Sequence, residues 1–144
     1  MPLRGLIFDM DGVLWQSGPA HRQAYLDTLT PAGITAFDYA KIAGQRTRDA
    51  IASLADGRNF SEAEIDAFTV QKSARALDHL PATNPVTTHA LDVVARLSAR
   101  LPDALATSGS PGSADLFLDL THARPPFKAG QTGAAVARPR RPPW

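Results

Sequence analysis

Cysteine is absent from the 144-residue sequence. Its absence excludes disulfides, thiolate zinc sites, iron–sulfur clusters and cysteine nucleophiles, and it fits a reducing cytoplasm, which is the compartment we expect. Long apolar runs are also missing, because Asp9 and Asp11 interrupt the first run soon after it begins. No segment approaches the roughly 20 apolar residues of a membrane span. We therefore expect neither a signal-peptide core nor a membrane as partner.

An excess of charge of either sign is missing as well. Fifteen basic and fourteen acidic residues give a net charge of +1, so no overall field favours a nucleic acid or another polyanionic partner. With 44% hydrophobic and 20% charged residues, the composition is that of a globular protein, and the length suggests one domain with a small insertion. The histidines lack metal-ligand spacing, and we assign no role to any of them: His21, His79, His89 and His122.

Strand-like runs alternate with helical spacing along the chain. An apolar run at residues 3–8 predicts a strand buried on both faces, and a shorter run at 104–106 predicts a second strand parallel to it. Ser17 is the expected N-cap of the first helix, and Ser61 with Glu64 predicts a capping box. The helices are predicted at residues 19–31, 47–55, 61–80, 85–100 and 113–120. This alternation favours an α/β fold with a parallel sheet.

Two carboxylates follow the first predicted strand. Asp9 and Asp11 lie at the end where open α/β sheets bind ligands. Because ionised acids so close repel each other, they need a cation or a proton, and Mg²⁺ suits a site made of oxygen atoms. Gly12 allows a turn whose amide groups face an anion, and Thr107 and Ser108 add donors from the neighbouring strand end. The pattern predicts a phosphate site where one acid attacks phosphorus and the other transfers protons.

Spacing alone leaves an ordinary strand-to-turn exit as an equally good interpretation of the two acids. The wider sequence favours the chemical one, because residues 6–14 (LIFDMDGVL) closely resemble the first motif of the haloacid dehalogenase superfamily. Residues 104–110 (ALATSGS) resemble its second motif. Residues 17–21, 44–47 and 116–120 resemble the phosphatase and phosphomutase branch that carries a helical cap. The resemblance covers roughly residues 3–127.

The resemblance implies a Rossmann-like core, incomplete here, at residues 1–15 and 84–127, with a helical cap inserted at 16–83 and an irregular tail at 128–144. Asp9 would be the nucleophile and Asp11 the general acid and base. Mg²⁺ would be held by the Asp9 carboxylate and the Asp11 backbone carbonyl. Thr107 would bind the transferring phosphoryl group. Arg46 is the candidate cap residue for a polar or phosphate group of the substrate, although an arginine at a helix start is more often solvated.

The chain departs from the family pattern after the second motif. Members carry a lysine downstream of that motif and then an acidic motif on a later strand, and neither is visible here. Residues 138–144 read RPRRPPW, so we expect a truncated or frame-shifted end, an uncovered sheet edge and self-association through that edge. Two functions stay open. One is a Mg²⁺-dependent phosphohydrolase for a small phosphorylated metabolite, and the other is a non-catalytic remnant or partner-dependent fragment that keeps only the phosphate pocket.

Overall fold

The computed structural model describes residues 2–83, 86–123, 127 and 129–132. The strands and helices predicted from the sequence are all present, so the α/β prediction is confirmed. Among the described residues, no helix combines the length and the apolar character needed to cross a bilayer. The elements are, in chain order, β1 (Leu6–Asp9), α1 (Gly18–Leu29), α2 (Thr47–Leu54), α3 (Glu62–His79), α4 (Thr88–Ser98), β2 (Asp103–Ala106), α5 (Pro111–Thr121) and β3 (Ala129–Gln131). Short 3₁₀ turns lie at Thr30–Ala32, Tyr39–Lys41 and Pro81–Thr83.

The strands form one parallel sheet in the order β1-β2-β3. Phe8 of β1 lies beside Leu105 of β2, and this row packs in one apolar cluster with Val94 of α4 and Phe117 of α5. Ile7 points to the opposite face, because side chains alternate along a strand, and it is 77% exposed. The helices α4 and α5 therefore cover one face of the sheet.

The prediction that β1 is buried on both faces was wrong. Ile7 of β1 is 77% exposed, and Leu3, which precedes the strand in the same apolar run, is 72% exposed. The reason lies in the strand order. Each new strand is added on the same side of the previous one, and right-handed crossovers then place the connecting helices on the same face of the sheet. A local apolar run carries no information about that order.

The stretch that we expected to be an irregular tail begins with a strand. β3 pairs in parallel with β2, and Gly130 lies beside Leu105, so the prediction was wrong for residues 129–131. The sequence of β3, AGQ, has no β-branched or aromatic residue, and backbone pairing with a neighbouring strand outweighs its weak propensity. Residues 133–144, on which the expectation of a truncated or frame-shifted end depends, lie outside the described residues.

The helices between β1 and α4 hold a second apolar cluster. Helix α3 begins at the predicted capping box, where Ser61 accepts a hydrogen bond from the amide of Glu64 and the Glu64 side chain accepts from the amide of Ser61. The buried members of the cluster are Tyr25, Leu29, Ile34, Ile42, Ala50, Ile51, Ala55 and Ile65. A separate cluster supports, as a proposal, the division into a cap at residues 16–83 and a core on either side of it.

Candidate active site

The carboxylate of Asp11 is surrounded by hydrogen-bond donors. Ser17 Oγ donates to Oδ1 at 2.5 Å, and Thr107 Oγ1 donates to Oδ2 at 2.8 Å. His21 Nε2 lies 3.3 Å from Oδ1. Burial by itself raises the pKa of Asp11, but the nearby histidine and the two hydroxyl groups outweigh burial and lower this pKa below its ordinary value. The carboxylate is therefore ionised at neutral pH and fixed in orientation.

The prediction that the Ser17 side chain caps α1 was wrong. Its backbone is helical, and its side chain makes no capping hydrogen bond. An N-cap side chain reaches the first-turn amides from an extended backbone, which Ser17 lacks. The fully buried hydroxyl donates to Asp11 instead, and a hydrogen bond to a charged acceptor is about twice as strong as a neutral one.

Next to His21 lies a buried lysine that is not among the residues predicted for the site. Lys72 of α3 is 5% exposed. Its Nζ lies 3.1 Å from Nδ1 of His21 and 4.5 Å from the centroid of the Tyr25 ring. Burial lowers the pKa of Lys72 to about 8, against the opposing effect of the Asp11 charge. The side chain is therefore mainly an ammonium group at neutral pH.

The ammonium group of Lys72 determines which nitrogen of His21 carries a proton. An ammonium group only donates hydrogen bonds, so Nδ1 of His21 accepts and Nε2 donates towards Asp11. Spacing in the sequence predicts no role for His21, and the structure places its Nε2 3.3 Å from Asp11. One signal was present in the sequence: Lys72 lies seven residues after Ile65 and four before Ala76, on the face of α3 that the apolar spacing predicted to be buried.

A cleft opens beside this network, and the space in and in front of it, part of which is open solvent, amounts to about 390 Å³. Asp11 and Ser108 line it from the ends of the strands, and His21 and Lys72 line it from α1 and α3. The remaining lining residues include small and polar side chains of the segment before α2. This segment contributes Tyr39, Ile42, Ala43, Gly44 and Gln45, and Tyr25 of α1, Thr47 of α2 and Gly109 after β2 complete the lining.

The structure brings several of the predicted site residues together. Thr107 is buried, donates to Asp11 and accepts a hydrogen bond from the amide of Gly109 at 2.9 Å. Ser108, the next residue, lines the cleft. Asp9 ends β1, and its Oδ1 accepts a hydrogen bond from the amide of Met10 at 2.9 Å. The ends of β1 and β2 thus meet as the sequence predicted.

Of the predicted site residues, Asp11 and Ser108 line the cleft, whereas Asp9, Gly12, Arg46 and Thr107 do not. Gly12 has the expected left-handed backbone, with φ of 80°. Its amide donates to the carbonyl of Trp15 at 2.7 Å, whereas the prediction required that amide to be available for an anion. Arg46 precedes α2 between two cleft residues, and its Nη2 is buried with no hydrogen-bond partner in the described part of the chain.

A divalent cation has two candidate protein ligands here. Within the described ranges, no group of three or more His, Asp or Glu side chains is arranged to hold a metal ion. Mg²⁺ is commonly held by one or two carboxylates, with water and substrate oxygens as further ligands. The oxygen donors Asp9 and Asp11 are compatible with such an ion.

Comparisons with known proteins agree with this fold. The chain matches a family model described as haloacid dehalogenase-like hydrolase over residues 3–139. A haloacid dehalogenase-like hydrolase from Streptococcus pneumoniae is 16% identical, with a TM-score of 0.72 and coverage of 90% of this chain and 61% of that chain. A hydrolase from Pseudomonas syringae is 18% identical, with a TM-score of 0.80 and coverage of 96% and 65%.

A further similar structure is that of a CbbY mutant from Rhodobacter sphaeroides in complex with xylulose-(1,5)bisphosphate. It is 20% identical, with a TM-score of 0.80, and the match covers 96% of this chain and 67% of that chain. The chain therefore spans 61–67% of the length of these three proteins. No curated protein sequence matches the chain significantly.

Proposed function

The chain belongs to the haloacid dehalogenase-like hydrolases, and from this premise we propose that it hydrolyses a phosphate ester of a small metabolite in the cleft beside β1. The hydrogen bond from Thr107 to Asp11 carries this proposal. It joins the carboxyl ends of β1 and β2 into one site, and this is the edge at which parallel sheets bind their ligands.

In the proposed reaction, Asp9 is the nucleophile. A carboxylate oxygen of Asp9 bonds to phosphorus, the ester P–O bond breaks, and Asp11 protonates the alcohol that leaves. Asp11 then removes a proton from water, whose oxygen attacks phosphorus, so that phosphate is released and Asp9 is restored. Asp9 and the Asp11 carbonyl would hold Mg²⁺, which neutralises phosphate charge when bound.

The lowered pKa of Asp11 keeps its carboxylate ionised, so that it is available to accept a proton from water. The first step, in which Asp11 protonates the leaving alcohol, needs the protonated form of this carboxyl group. An entering phosphate dianion raises the pKa of a neighbouring carboxyl group, because like charges disfavour the ionised form. Substrate binding would therefore supply the acid that the alcohol requires.

Substrate binding is assigned to residues of both strand ends and of the cap. Ser108 would donate to the phosphoryl oxygens, and Thr107 would do so when Asp11 is protonated and no longer accepts its hydroxyl proton. Arg46 would bind a second polar or phosphate group, and its support is the buried Nη2 that has no partner among the described residues. A buried donor without an acceptor costs free energy, which a ligand oxygen would recover.

The test is hydrolysis of an aryl phosphate with and without Mg²⁺, by the wild type and by Asp9→Asn. We expect Mg²⁺-dependent hydrolysis that falls at least about 100-fold in the variant, because removal of a nucleophile usually removes most of the rate. Asp92→Asn, an exposed carboxylate on α4, is the matched control and should hydrolyse at the wild-type rate. Equal rates for wild type and Asp9→Asn would exclude covalent catalysis by Asp9.

The alternative is a non-catalytic protein, or one that needs a partner, which retains only the phosphate pocket. It is favoured by the absence of a third metal-binding acid among the described residues. In that case titration calorimetry would detect phosphate binding that Thr107→Val weakens, while the hydrolysis assay would show no turnover.

We also propose self-association through the edge of the sheet. In the described sheet β1 is an edge strand, and its residue Ile7 is 77% exposed on the uncovered face. An unpaired strand edge with an apolar side chain favours pairing with another chain. Sedimentation should show a concentration-dependent dimer that Ile7→Lys weakens, and a monomer at all concentrations would exclude it.

A further inference from the structure

Tyr39 lies on a rigid turn at the wall of the cleft. It begins the 3₁₀ turn Tyr39–Lys41 and lines the same cleft as Asp11. Before the turn, Oδ1 of Asp38 accepts a hydrogen bond from the amide of Ala40 at 3.1 Å. After it, the buried side chain of Ile42 packs in the second apolar cluster. Both ends of the turn are thus held in place.

The ring of Tyr39 is positioned by neighbours on α1. Its centroid lies 6.4 Å from that of Tyr25, with the two rings inclined at 54°. At the start of the helix, a Cβ on Gly18 would lie 3.7 Å from Cε1 of Tyr39. These contacts hold the ring beside the start of α1, in the cleft that Asp11 also lines. They involve the ring alone, so the position of Tyr39 does not depend on its hydroxyl group.

The two tyrosines of the cleft differ in what their hydroxyl groups do. The hydroxyl of Tyr25 is hydrogen-bonded to Thr47. In the part of the chain that the structure describes, no residue accepts a hydrogen bond from Tyr39. Burial and the negative charge of Asp11 raise the pKa of Tyr39 to about 12. Tyr39 is therefore a neutral donor at physiological pH, with an unused hydrogen bond to offer.

We propose that Tyr39 determines specificity by donating a hydrogen bond to a hydroxyl oxygen of the leaving group, so that the cleft prefers hydroxylated alkyl phosphates to aryl phosphates. This inference rests on the proposed function. With the phosphoryl group at the ends of the strands, the rest of the ester extends from Asp11 into the cleft that Tyr39 lines. A site that offers a partly buried donor discriminates strongly against a ligand without the matching acceptor.

The experiment compares Tyr39→Phe with the matched variant Tyr25→Phe. Each loses one hydroxyl from the same cleft, and each keeps its ring. The readout is kcat/KM for glycerol 2-phosphate divided by kcat/KM for phenyl phosphate. We expect Tyr39→Phe to lower this ratio about tenfold or more. We expect Tyr25→Phe to keep the wild-type ratio.

The outcomes separate the two proposals. If Asp9-dependent hydrolysis is present but Tyr39→Phe leaves the ratio unchanged, the role of Tyr39 is overturned while the proposed function stands. If neither ester is hydrolysed, catalysis is refuted, and calorimetry then decides the role of Tyr39. In that case Tyr39→Phe should weaken binding of glycerol 2-phosphate more than binding of inorganic phosphate, and equal weakening would overturn the inference.

Discussion

The molecule contains two histidine–aspartate pairs in different surroundings. His21 lies 3.3 Å from Asp11, and His79 lies 2.6 Å from Asp27. The side chain of His21 is 10% exposed, whereas that of His79 is 35% exposed. Water and salt screen the more exposed pair, so we expect the shorter contact to contribute less to stability and function. Burial and further partners, more than distance, decide what each histidine does.

The further partners of the two pairs also differ. His21 lies between the ammonium group of Lys72 and the carboxylate of Asp11, which determines the position of its proton. The other pair joins α3 to α1, and Asp27 accepts an additional hydrogen bond from the exposed amide of Gln23 at 2.7 Å. The first pair therefore orients the buried carboxylate of Asp11, and the second connects two helices at the surface.

The largest expected difference is in activity. His21→Ala removes a donor from Asp11 and leaves the buried ammonium group of Lys72 without an acceptor. We expect kcat/KM for an aryl phosphate to fall about 100- to 1,000-fold, as for loss of one preorganised donor. His79→Ala should retain the wild-type value. Equal losses in the two variants, in preparations with native circular dichroism, would contradict the comparison.

The next effect concerns stability at the buried lysine. The pKa of Lys72 is about 8 in the folded protein against an ordinary 10.5, so the unfolded chain binds more protons between these values. Wild-type stability should therefore rise as pH increases through this window. Lys72→Met lacks this rise, and at pH 7 it should be more stable than wild type by up to about 3 kcal/mol. Urea unfolding at pH 7 and pH 10 measures the difference, and a gap independent of pH would refute the assignment.

A smaller effect distinguishes the hydroxyl and amide donors of the two pairs. Ser17→Ala removes a buried donor from Asp11 and should cost about 1–3 kcal/mol of unfolding free energy. Gln23→Ala removes an exposed donor from Asp27 and should stay within about 0.5 kcal/mol of wild type. Chemical denaturation of both variants tests this order, and a larger cost for Gln23→Ala would reverse it.

The smallest effect is the coupling within the surface pair. A double-mutant cycle with Asp27→Asn and His79→Ala should give less than about 1 kcal/mol, decreasing as NaCl is added. Hydrogen bonds from His79 and then Gln23 lower the pKa of Asp27. Its contribution should therefore be present at neutral pH and disappear as pH falls below the ordinary carboxyl range. Coupling that persists in molar salt would mean that this pair is not screened.

Local patterns predicted much of the fold because strands and helices follow from nearby residues. The helices, β1 and β2 were predicted from apolar spacing, and Asp11 and Thr107 from the two motifs. The solvent-exposed face of the sheet at Ile7 was not predicted, because its exposure depends on strand order. β3 was not predicted, because its sequence AGQ has no residue type that favours strands. The contact between His21 and Lys72 joins residues 51 positions apart, a relation that spacing within one helix does not contain.

The one-sided covering of the sheet has a consequence for the proposed reaction site. A parallel strand added beyond β1 would reverse the direction of strand advance, and its crossover helix would then lie over Ile7. Crevices in α/β proteins open where that direction reverses, and Asp9 ends the strand at this border. Solvent or another polypeptide over the uncovered face at Ile7 would border this crevice and would set how much water reaches Asp9, the proposed nucleophile.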